Sequence, residues 1–506
     1  MNLRSPLLIA LCVSNPLLVA CGREDDAAAT VQIAAVLDQT GPLANESWKD
    51  SALLAVEQAN AGLKLAGGFH DALFGMVVAD SISDPEVTLL RGQKLIADGA
   101  VAIITDTGED ALALTATQYD ASSKNDLGVP VICTGCTSPK LGDPFASHFD
   151  EVRQKSYRDR ELWGYRTSAD SIPEAKALLT AIESRGSKGD INHDGRWKIA
   201  LYVIDDDFGN GFVEGFKAAR DELFPWVDIK NVLSCERGAI SAFCNTGLRI
   251  EVIRHPPGVD ANSYNWSDDL TLLLDEFNDA PTDNPGQPIS KDGEPDYIVE
   301  ATFPLFAAGF TRAHVDANEA TPLFHTHNWR HFQTLVKLLN TDVDGHAGVS
   351  HAVLDNCDEA GRPFASALFA KTGRGPGLWD AQHYDATMVT MLASLVAISD
   401  MSTPNASKLK GVQVRDALSR VSDKSAEAVK VTGGAEGFAD AVKAIRKGLP
   451  IDYVGASGPV DFDENGNVKN DFVSFEVVRG LFVDRITHDC TGDVDCSPKK
   501  GACTWQ

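Results

Sequence analysis

The strongest constraint on the fold of this chain is a repeated alternation of short apolar runs with longer amphipathic segments. The first run, Val31–Leu37, is rich in β-branched residues, and residues 47–59 follow it with apolar side chains at helical spacing. The pattern then predicts strands at 74–80, 101–104 and 129–132 and helices at 85–98 and 110–123. Strands that alternate with helices of this length are typical of a parallel sheet covered by helices.

A second series of the same kind begins near residue 172. The sequence predicts helices at 172–184 and 211–223, strands at 198–204 and 297–301, and later helices at 378–397, 412–419 and 437–446. Two α/β lobes are the economical interpretation of an alternation that restarts. The polar stretches 235–268 and 278–294 are interpreted as surface insertions rather than a third domain.

The composition is typical of an exported globular protein. With 506 residues and 43% apolar content, the chain can bury substantial cores in more than one domain. Its formal charge of −27 argues against nucleic acid as a partner and favours solubility. The sequence has no Gly-rich phosphate loop, nucleophile elbow or His-Glu-x-x-His pattern. We therefore expect neither an enzyme nor a bound cofactor.

The N-terminal 30 residues predict export and lipid anchoring. A short basic start and an apolar stretch lead to Leu18-Val19-Ala20-Cys21, a run that resembles the bacterial lipobox. Residues 1–20 are then a signal peptide, Cys21 carries the lipid, and residues 21–30 form a polar tether. The alternative is an ordinary secretory signal in which Cys21 is incidental. In both cases the mature chain lies outside the cytoplasm.

The cysteines suit an oxidising compartment. Of the ten, eight remain after the one in the signal peptide and Cys21 are set aside. Cys133 and Cys136 have redox-motif spacing but follow a predicted strand, so we expect a disulfide or two buried thiols there. The other candidates for pairing are Cys235 with Cys244, and Cys357, Cys490, Cys496 and Cys503 among themselves.

Several motifs occur in the order found in one family. They are IAAVLDQTGPLA at 33–44, AVEQAN at 55–60, GVPVI at 128–132, YRT at 165–167, LYVIDDDFG at 201–209, YDA at 384–386 and GASGPVDFDENGN at 455–467. The last is the most specific, with Gly-Pro followed by Phe-Asp-x-x-Gly. With these motifs the chain resembles, from about Val31 to Phe482, the leucine/isoleucine/valine type of periplasmic binding protein, the substrate-binding component of ABC importers.

This resemblance implies the type I periplasmic-binding-protein fold, in which two α/β lobes, each a parallel sheet flanked by helices, are joined by three hinge crossovers. The crossovers are expected near Thr167, Ala352 and Ser457. Lobe 1 comprises residues 31–167 and 352–456, lobe 2 comprises residues 168–351 and 457–490, and residues 491–506 form a cysteine-containing tail. The ligand is expected between the lobes, beyond the carboxyl ends of the strands.

The resemblance also implies the ligand contacts. The positions that align with contacts to an amino acid's carboxylate and amino group are Thr107, Gly108, Cys136 and Thr137. Gly108 stands where a hydroxyl residue is typical. Phe208 and Phe303 align with pocket aromatics, and Trp48, at the start of the first helix, is a further cleft candidate.

Asn328 is the sharpest departure from the family pattern, because branched-chain binders place a carboxylate there for the ligand's ammonium group. A hydrogen bond to a charged group contributes about 1.5–3 kcal/mol. The ligand is therefore not a branched-chain amino acid unless Asp106, Glu109 or Asp110 supplies the negative charge. Helix capping and compensation of the helix dipole are the alternative roles of these three acids.

We therefore expect a periplasmic, lipid-anchored solute-binding protein of an ABC importer, which captures an amino acid or related small polar solute by hinged closure. Its partners would be the small-molecule ligand, the permease subunits and, through Cys21, a membrane. The alternative is an envelope lipoprotein that uses the same fold to regulate or scaffold another protein. His325, His327 and His331 are close in sequence, but we expect cleft hydrogen bonding there and no metal.

Overall fold

The computed structural model describes residues 30–41, 43–115, 127–142, 148–150, 155–157, 162–184, 191–192, 197–223, 248–274, 294–330, 339–354, 360–491 and 496–498. Several sequence-based predictions lie outside these ranges. They are the signal peptide, Cys21 and nearly all of the tether, the segment 278–293, His331, and Cys235, Cys244, Cys357 and Cys503.

A five-stranded parallel sheet is built from the first third of the chain. Its strands are β1 Val31–Leu37, β2 Phe74–Asp80, β3 Ala100–Thr105, β4 Val131–Cys133 and β7 Gly164–Arg166, in the spatial order β2-β1-β3-β4-β7. The side chains of β3 and β4 are all buried, as expected for a parallel sheet with both faces covered. A separate two-stranded ribbon, β5 His148–Asp150 with β6 Lys155–Tyr157, precedes β7.

The second sheet has eight strands and is mixed. Its strands are β8 Trp197–Ile204, β9 Leu248–His255, β10 Tyr297–Ala301, β11 Leu323–His325, β12 Ala347–His351, β16 Phe472–Val478, β17 Leu481–Asp489 and β18 Ser497–Pro498. The order is β18-β17-β16-β12-β11-β10-β8-β9, parallel from β9 to β12 and antiparallel from β12 to β18. The antiparallel part adds a hairpin to the parallel sheet that the resemblance implies.

Helices connect the strands and cover the sheets. The longer ones are α1 Glu46–Leu65, α2 Pro85–Ala97, α3 Gly108–Thr115, α4 Ser171–Ser184, α5 Asp207–Leu223, α6 Trp266–Leu273, α7 Pro304–Asp316, α9 Arg362–Thr372, α10 Asp380–Asp400, α11 Gly411–Leu418 and α12 Gly434–Arg446. A single turn, α8 His327–Arg330, follows β11, and short 3₁₀ turns lie at Pro139–Gly142, Asn340–Val343 and Ala406–Lys408. None of the helices in the described ranges is both long and apolar enough to cross a bilayer.

The apolar core is divided between the two sheets. The largest cluster joins residues from 31–165 with residues from 354–468, including nearly the whole length of α10. A second cluster lies on the second sheet and draws on residues from 169–349 and 472–496. A small third sheet, β13 Val429–Thr432, β14 Ile451–Gly455 and β15 Gly458–Pro459, is associated with the first cluster.

The three predicted crossover segments are hydrogen-bonded to one short stretch, Asn470 and Asp471. The Asn470 side chain accepts from the backbone N–H of Ala169 at 2.6 Å and donates to the carbonyl of Ser457 at 3.3 Å. The backbone N–H of Ala352 donates to the carbonyl of Asp471 at 2.9 Å. The positions of the lobe boundaries themselves remain a prediction.

The interpretation of 235–268 as a surface insertion is wrong for its second half. Residues 248–255 form the edge strand β9, which pairs in register with the whole of β8. The buried Glu251 forms an ion pair with the buried Lys198 of β8, with Nζ and Oε2 2.8 Å apart. Charged residues are common on edge strands, which explains the polar composition of this segment. Its alternation of apolar and polar side chains is the sequence signal that indicates a strand.

Two boundary differences have simple physical causes. The predicted helix at 211–223 begins four residues earlier, at Asp207, because the Asp206 carboxylate caps it by accepting from the backbone N–H of Gly209 at 2.9 Å. The predicted strand at 129–132 begins only at Val131, since Pro130 has no N–H to donate to a neighbouring strand.

Candidate functional site

A cleft of about 270 Å³ lies at the carboxyl ends of strands from both sheets. On the first-sheet side it is lined by residues that follow β1, β2, β3 and β4, and on the second-sheet side by residues that follow β8, β9, β10 and β11. Parallel strands bring their following loops to one edge of a sheet, which is where open α/β sheets bind ligands. The volume is just below the range of about 300–1,000 Å³ for larger ligands, so it suits a small solute.

Aromatic side chains form much of the apolar wall. The rings of Phe208 and Phe303 are nearly parallel, with centroids 5.6 Å apart. His327 meets Phe208 edge-on at 5.5 Å and Trp379 at 5.3 Å. Trp48 completes the lining and is held by a 2.9 Å hydrogen bond from its Nε1 to the carbonyl of Leu378. These rings therefore present flat apolar surfaces on several sides of the cleft.

Five carboxyl groups also line the cleft, and among the described lining residues there is no lysine or arginine. Asp106, Glu109 and Asp110 follow β3. Asp206 precedes α5, and Asp207 is its first residue. The side of the cleft next to the first sheet and the side next to the second sheet both carry negative groups.

Two of the acids that follow β3 accept hydrogen bonds from other residues of the protein. Asp106 Oδ2 accepts from the backbone N–H of Asp38 at 2.7 Å, and Asp110 Oδ1 accepts from the hydroxyl of Thr88 at 2.8 Å. The hydroxyl of Thr107 accepts from the backbone N–H of Asp110 at 3.2 Å, so it is this threonine that caps α3. Neither the Asp106 nor the Asp110 side chain therefore caps α3, although Asp110, in the first turn, still compensates the helix dipole.

Three of the carboxyl groups of the cleft, those of Asp106, Asp110 and Asp206, are harder to ionise than usual. Burial, followed by repulsion from Asp110 and Asp38, raises the pKa of Asp106 well above its ordinary value. Burial also raises the pKa of Asp110 to about 6. For Asp206, burial followed by repulsion from Glu109 and Asp207 raises the pKa to about 7. Near neutral pH these three groups are therefore held largely or partly in their protonated, uncharged form.

The structure brings together seven of the eight predicted ligand contacts. The residues that line the cleft are Trp48, Thr107, Gly108, Thr137, Phe208, Phe303 and Asn328. Cys136 is not among the lining residues. Its sulfur is bonded to Cys133, and its carbonyl accepts from the guanidinium of Arg166 at 3.2 Å. The other described disulfide joins Cys490 and Cys496, one of the C-terminal pairings left open by the sequence.

Sequence reasoning missed Trp379, Asp206 and Asp207 as cleft residues. Trp379 precedes α10 and has a left-handed backbone conformation, with φ of 69°. Its sequence context does not predict this conformation. The two aspartates stand beside Phe208 in the motif LYVIDDDFG, so their place at the end of β8 was the available signal. Only the tertiary arrangement of the two sheets brings carboxyl groups from both of them into one cleft.

His327 belongs to a buried polar group behind the cleft wall. Its Nδ1 lies 2.8 Å from Glu174 Oε2, and its backbone N–H donates to Glu174 Oε1 at 2.9 Å. One ligand-type atom from each of Glu174, His327 and His351 lies within 4.8 Å of the others. His351 Nε2 lies 3.1 Å from the carbonyl of Ala169, so hydrogen bonds already engage all three side chains. We interpret the group as the support that orients His327 at the cleft.

Solved structures match this chain, whereas the sequence comparisons give no match. No protein-family model and no curated protein matches the sequence. A leucine-binding protein, LivK, from Thermotoga maritima superposes with a TM-score of 0.58 at 15% identity, covering 90% of this chain and 98% of that one. LivJ from Streptococcus pneumoniae, a branched-chain amino-acid transporter substrate-binding protein crystallised with isoleucine, gives 0.56 at 14% identity, with 89% and 97% covered.

A third solved structure is similar to the same extent. It is an ABC-transporter solute-binding protein from R. palustris in complex with benzoate, with a TM-score of 0.55 at 15% identity, covering 94% of this chain and 97% of that one. At 14–15% sequence identity, structural similarity establishes the fold of the chain but not the identity of its ligand. The chain has the two-lobed type I periplasmic-binding-protein fold that its motifs predict.

Proposed function

We propose that this chain is the extracytoplasmic solute-binding component of an ABC importer and captures an amino acid or related small polar solute. The observation that supports this most is the cleft of about 270 Å³. Residues from both sheets line it, including six of the positions that the motif alignment assigned to the ligand and the further candidate Trp48. Structures of this fold hold isoleucine and benzoate in the two complexes described above. A protein in this role makes and breaks no bonds, so we assign no enzymatic activity.

Capture would proceed by hinged closure. A ligand that touches residues on both sides of the cleft stabilises the closed arrangement in proportion to its differential affinity for that state. The two sides meet closely at α3 and α5, since a Cβ built on Gly108 would lie 3.7 Å from Asp207 Oδ2. The closed state would then be recognised by the permease subunits of the importer, and ATP hydrolysis would belong to other chains.

The pocket assignment is tested by aromatic truncation. A thermal-shift screen of the purified protein with amino acids, amines, amides and small carboxylates should yield at least one stabilising solute. Phe208→Ala and Phe303→Ala should then weaken its affinity about tenfold or more, because each removes a ring that faces the ligand. Phe369→Ala is the matched control, since Phe369 is an exposed phenylalanine outside the cleft.

Two outcomes would count against the proposal. If no solute in the screen raises the melting temperature, the importer role fails and the alternative, a regulatory or scaffolding lipoprotein, gains. Unchanged affinity in both cleft variants would show that the pocket is elsewhere, even if a solute binds.

The membrane anchor is a separate prediction. We expect a periplasmic protein held by lipid on Cys21, followed by the flexible tether of residues 21–30. Cys21→Ser should move the protein from the membrane fraction to the soluble fraction, and mass spectrometry should detect acyl chains on the wild-type N-terminus. A wild-type protein that is soluble and unacylated would favour the ordinary secretory signal instead.

A further inference from the structure

Ring side chains line both sides of the cleft. They are Trp48, Phe208, Phe303, Phe306, His327 and Trp379. The branched aliphatic side chains among the described lining residues are Leu43 and Leu305, and Leu305 is 56% exposed. A solute that enters the cleft therefore meets mainly the faces and edges of flat rings.

Contacts behind the rings orient the two indoles. The Trp48 ring stacks on the imidazole of His383, with centroids 5.0 Å and planes 13° apart. Nδ1 of His383 lies 2.8 Å from the carbonyl of Trp379, and its Nε2 lies 2.9 Å from the hydroxyl of Thr134. The described lining contains no methionine, lysine or arginine, the long side chains with the most rotamer freedom. Ligand binding therefore requires little further ordering of these side chains.

The ring planes define one favourable orientation for a flat solute. The planes of Phe208 and Phe303 are 20° apart, with centroids at 5.6 Å. The ring of His327 stands at 77° to Phe208 and at 73° to Trp379. A solute ring parallel to the two phenylalanines would stack on them and meet His327 edge-to-face, and aromatic pairs prefer these two arrangements. A puckered aliphatic group makes neither contact.

Two buried polar atoms of lining residues have no hydrogen-bond partner among the described residues. They are Oδ1 of Asp106, which is 4% exposed, and Oγ of Ser138, which is 3% exposed. Burial raises the pKa of Asp106 well above its ordinary value, so near neutral pH its carboxyl group can donate as well as accept. A hydroxyl also does both. An unpaired buried polar atom is costly, so a polar head group on a solute would stabilise the complex at this place.

We propose that the cleft selects solutes built on one planar aromatic ring with a small polar head group. The ring lies parallel to Phe208 and Phe303 and meets His327 edge-to-face, and the head group lies towards Asp106 and Ser138. This inference rests on the proposed solute-binding function and names the class of solute for the same site.

The test uses pairs of probes that differ only in the saturation of the ring. The pairs are benzoate with cyclohexanecarboxylate, benzamide with cyclohexanecarboxamide, benzylamine with cyclohexylmethylamine, and phenylalanine with 3-cyclohexylalanine. Affinities are measured by calorimetry on the purified full-length protein at neutral pH. In the pair that binds most tightly, we expect the aromatic member to bind about tenfold more tightly than the saturated one. Burial of apolar area alone would favour the saturated member, because a cyclohexyl group has more apolar surface than a phenyl group.

Matched variants assign the preference to the aromatic wall. Phe208→Leu and Phe303→Leu keep an apolar side chain but remove the ring, so each should lower the preference for the aromatic member about fivefold. The affinity of the saturated member should change less than about twofold, and its retention shows that the variant is folded. Phe369→Leu makes the same change at an exposed position outside the cleft and should leave both affinities unchanged.

The possible results separate the two proposals. Equal or tighter binding of the saturated member, or binding of leucine alone, would overturn the aromatic inference and keep the solute-binding function. Leucine variants that weaken both members of the pair equally would also overturn it, because the rings would then only fill space. If none of these probes binds and no solute of the wider screen does, both proposals fail.

Discussion

At the scale of single residues, the cleft shows how burial changes the behaviour of a carboxyl group. Asp206 caps α5 and yet faces the cleft, where burial and then the charges of Glu109 and Asp207 raise its pKa to about 7. An acid whose pKa is higher in the folded than in the unfolded chain favours folding in its protonated form. Its ionisation therefore costs stability as the pH rises from about 4 to about 7.

Asp206→Asn should accordingly stabilise the ligand-free protein at high pH. The amide keeps a capping oxygen for Gly209 and removes the charge, so we expect the free energy of unfolding at pH 8 to rise by about 1–3 kcal/mol. The gain should shrink towards pH 5, where the wild-type carboxyl group is protonated. Denaturant unfolding at the two pH values measures both quantities, and an equal gain at both would contradict the assigned pKa.

At the scale of elements, distant motifs are joined by one buried carboxylate. Asp385 lies in the second turn of α10. Its carboxylate accepts from the hydroxyl of Tyr453 at 2.7 Å, from the backbone N–H groups of Ala456 and Ser457 at 3.0 and 2.7 Å, and from the hydroxyl of Ser457 at 2.6 Å. The motifs YDA and GASGPVDF, far apart in sequence, therefore meet at the end of β14. This contact fixes the segment predicted to be the third crossover.

Asp385→Ala should destabilise the protein strongly. It leaves several donors unsatisfied in the core, and each unsatisfied buried donor costs about 1–3 kcal/mol, so we expect a total loss of about 3 kcal/mol or more. Asp440→Ala on α12 is the control, because its carboxylate pairs with Lys443 at the surface and should contribute less than about 1 kcal/mol. Chemical denaturation distinguishes the two, and comparable small losses would refute the role of Asp385.

Elements with a clear apolar period could be predicted, whereas elements defined by tertiary contacts could not. The bounds of β1, β2 and β10 match the predicted strands, because each is an apolar β-branched run. The sequence pattern does not predict the edge strand β9, since half of its side chains are polar and its ion pair with Lys198 depends on the tertiary structure. The β16–β17 hairpin is likewise defined by its pairing with β12.

At the scale of the whole molecule, the charges on the two sides of the cleft should control opening. The structure has α3 and α5 in close approach, and Glu109 acts on Asp206 across the gap. Like charges at this position disfavour closure when no ligand is bound. The ligand-free protein in solution should therefore be more open than the structure described here.

Small-angle scattering tests this expectation. The ligand-free protein should have a larger radius of gyration than the structure implies, and a saturating solute should reduce it, because closure brings the two sheets together. Asp206→Asn should show a smaller radius than the wild type before any ligand is added. An identical radius in all three states would mean that the two sides do not move.

The sequence by itself determined the alternating α/β architecture, the two lobes and seven of the residues at the cleft, because apolar period and motif order are local properties of the chain. Only the tertiary structure decided that Asp206 and Asp207 on one side lie opposite Glu109 on the other, and that Trp379 joins the aromatic wall. Such contacts depend on how two sheets are placed relative to each other. Asn328 thus shares its cleft with carboxyl groups that are remote from it in sequence.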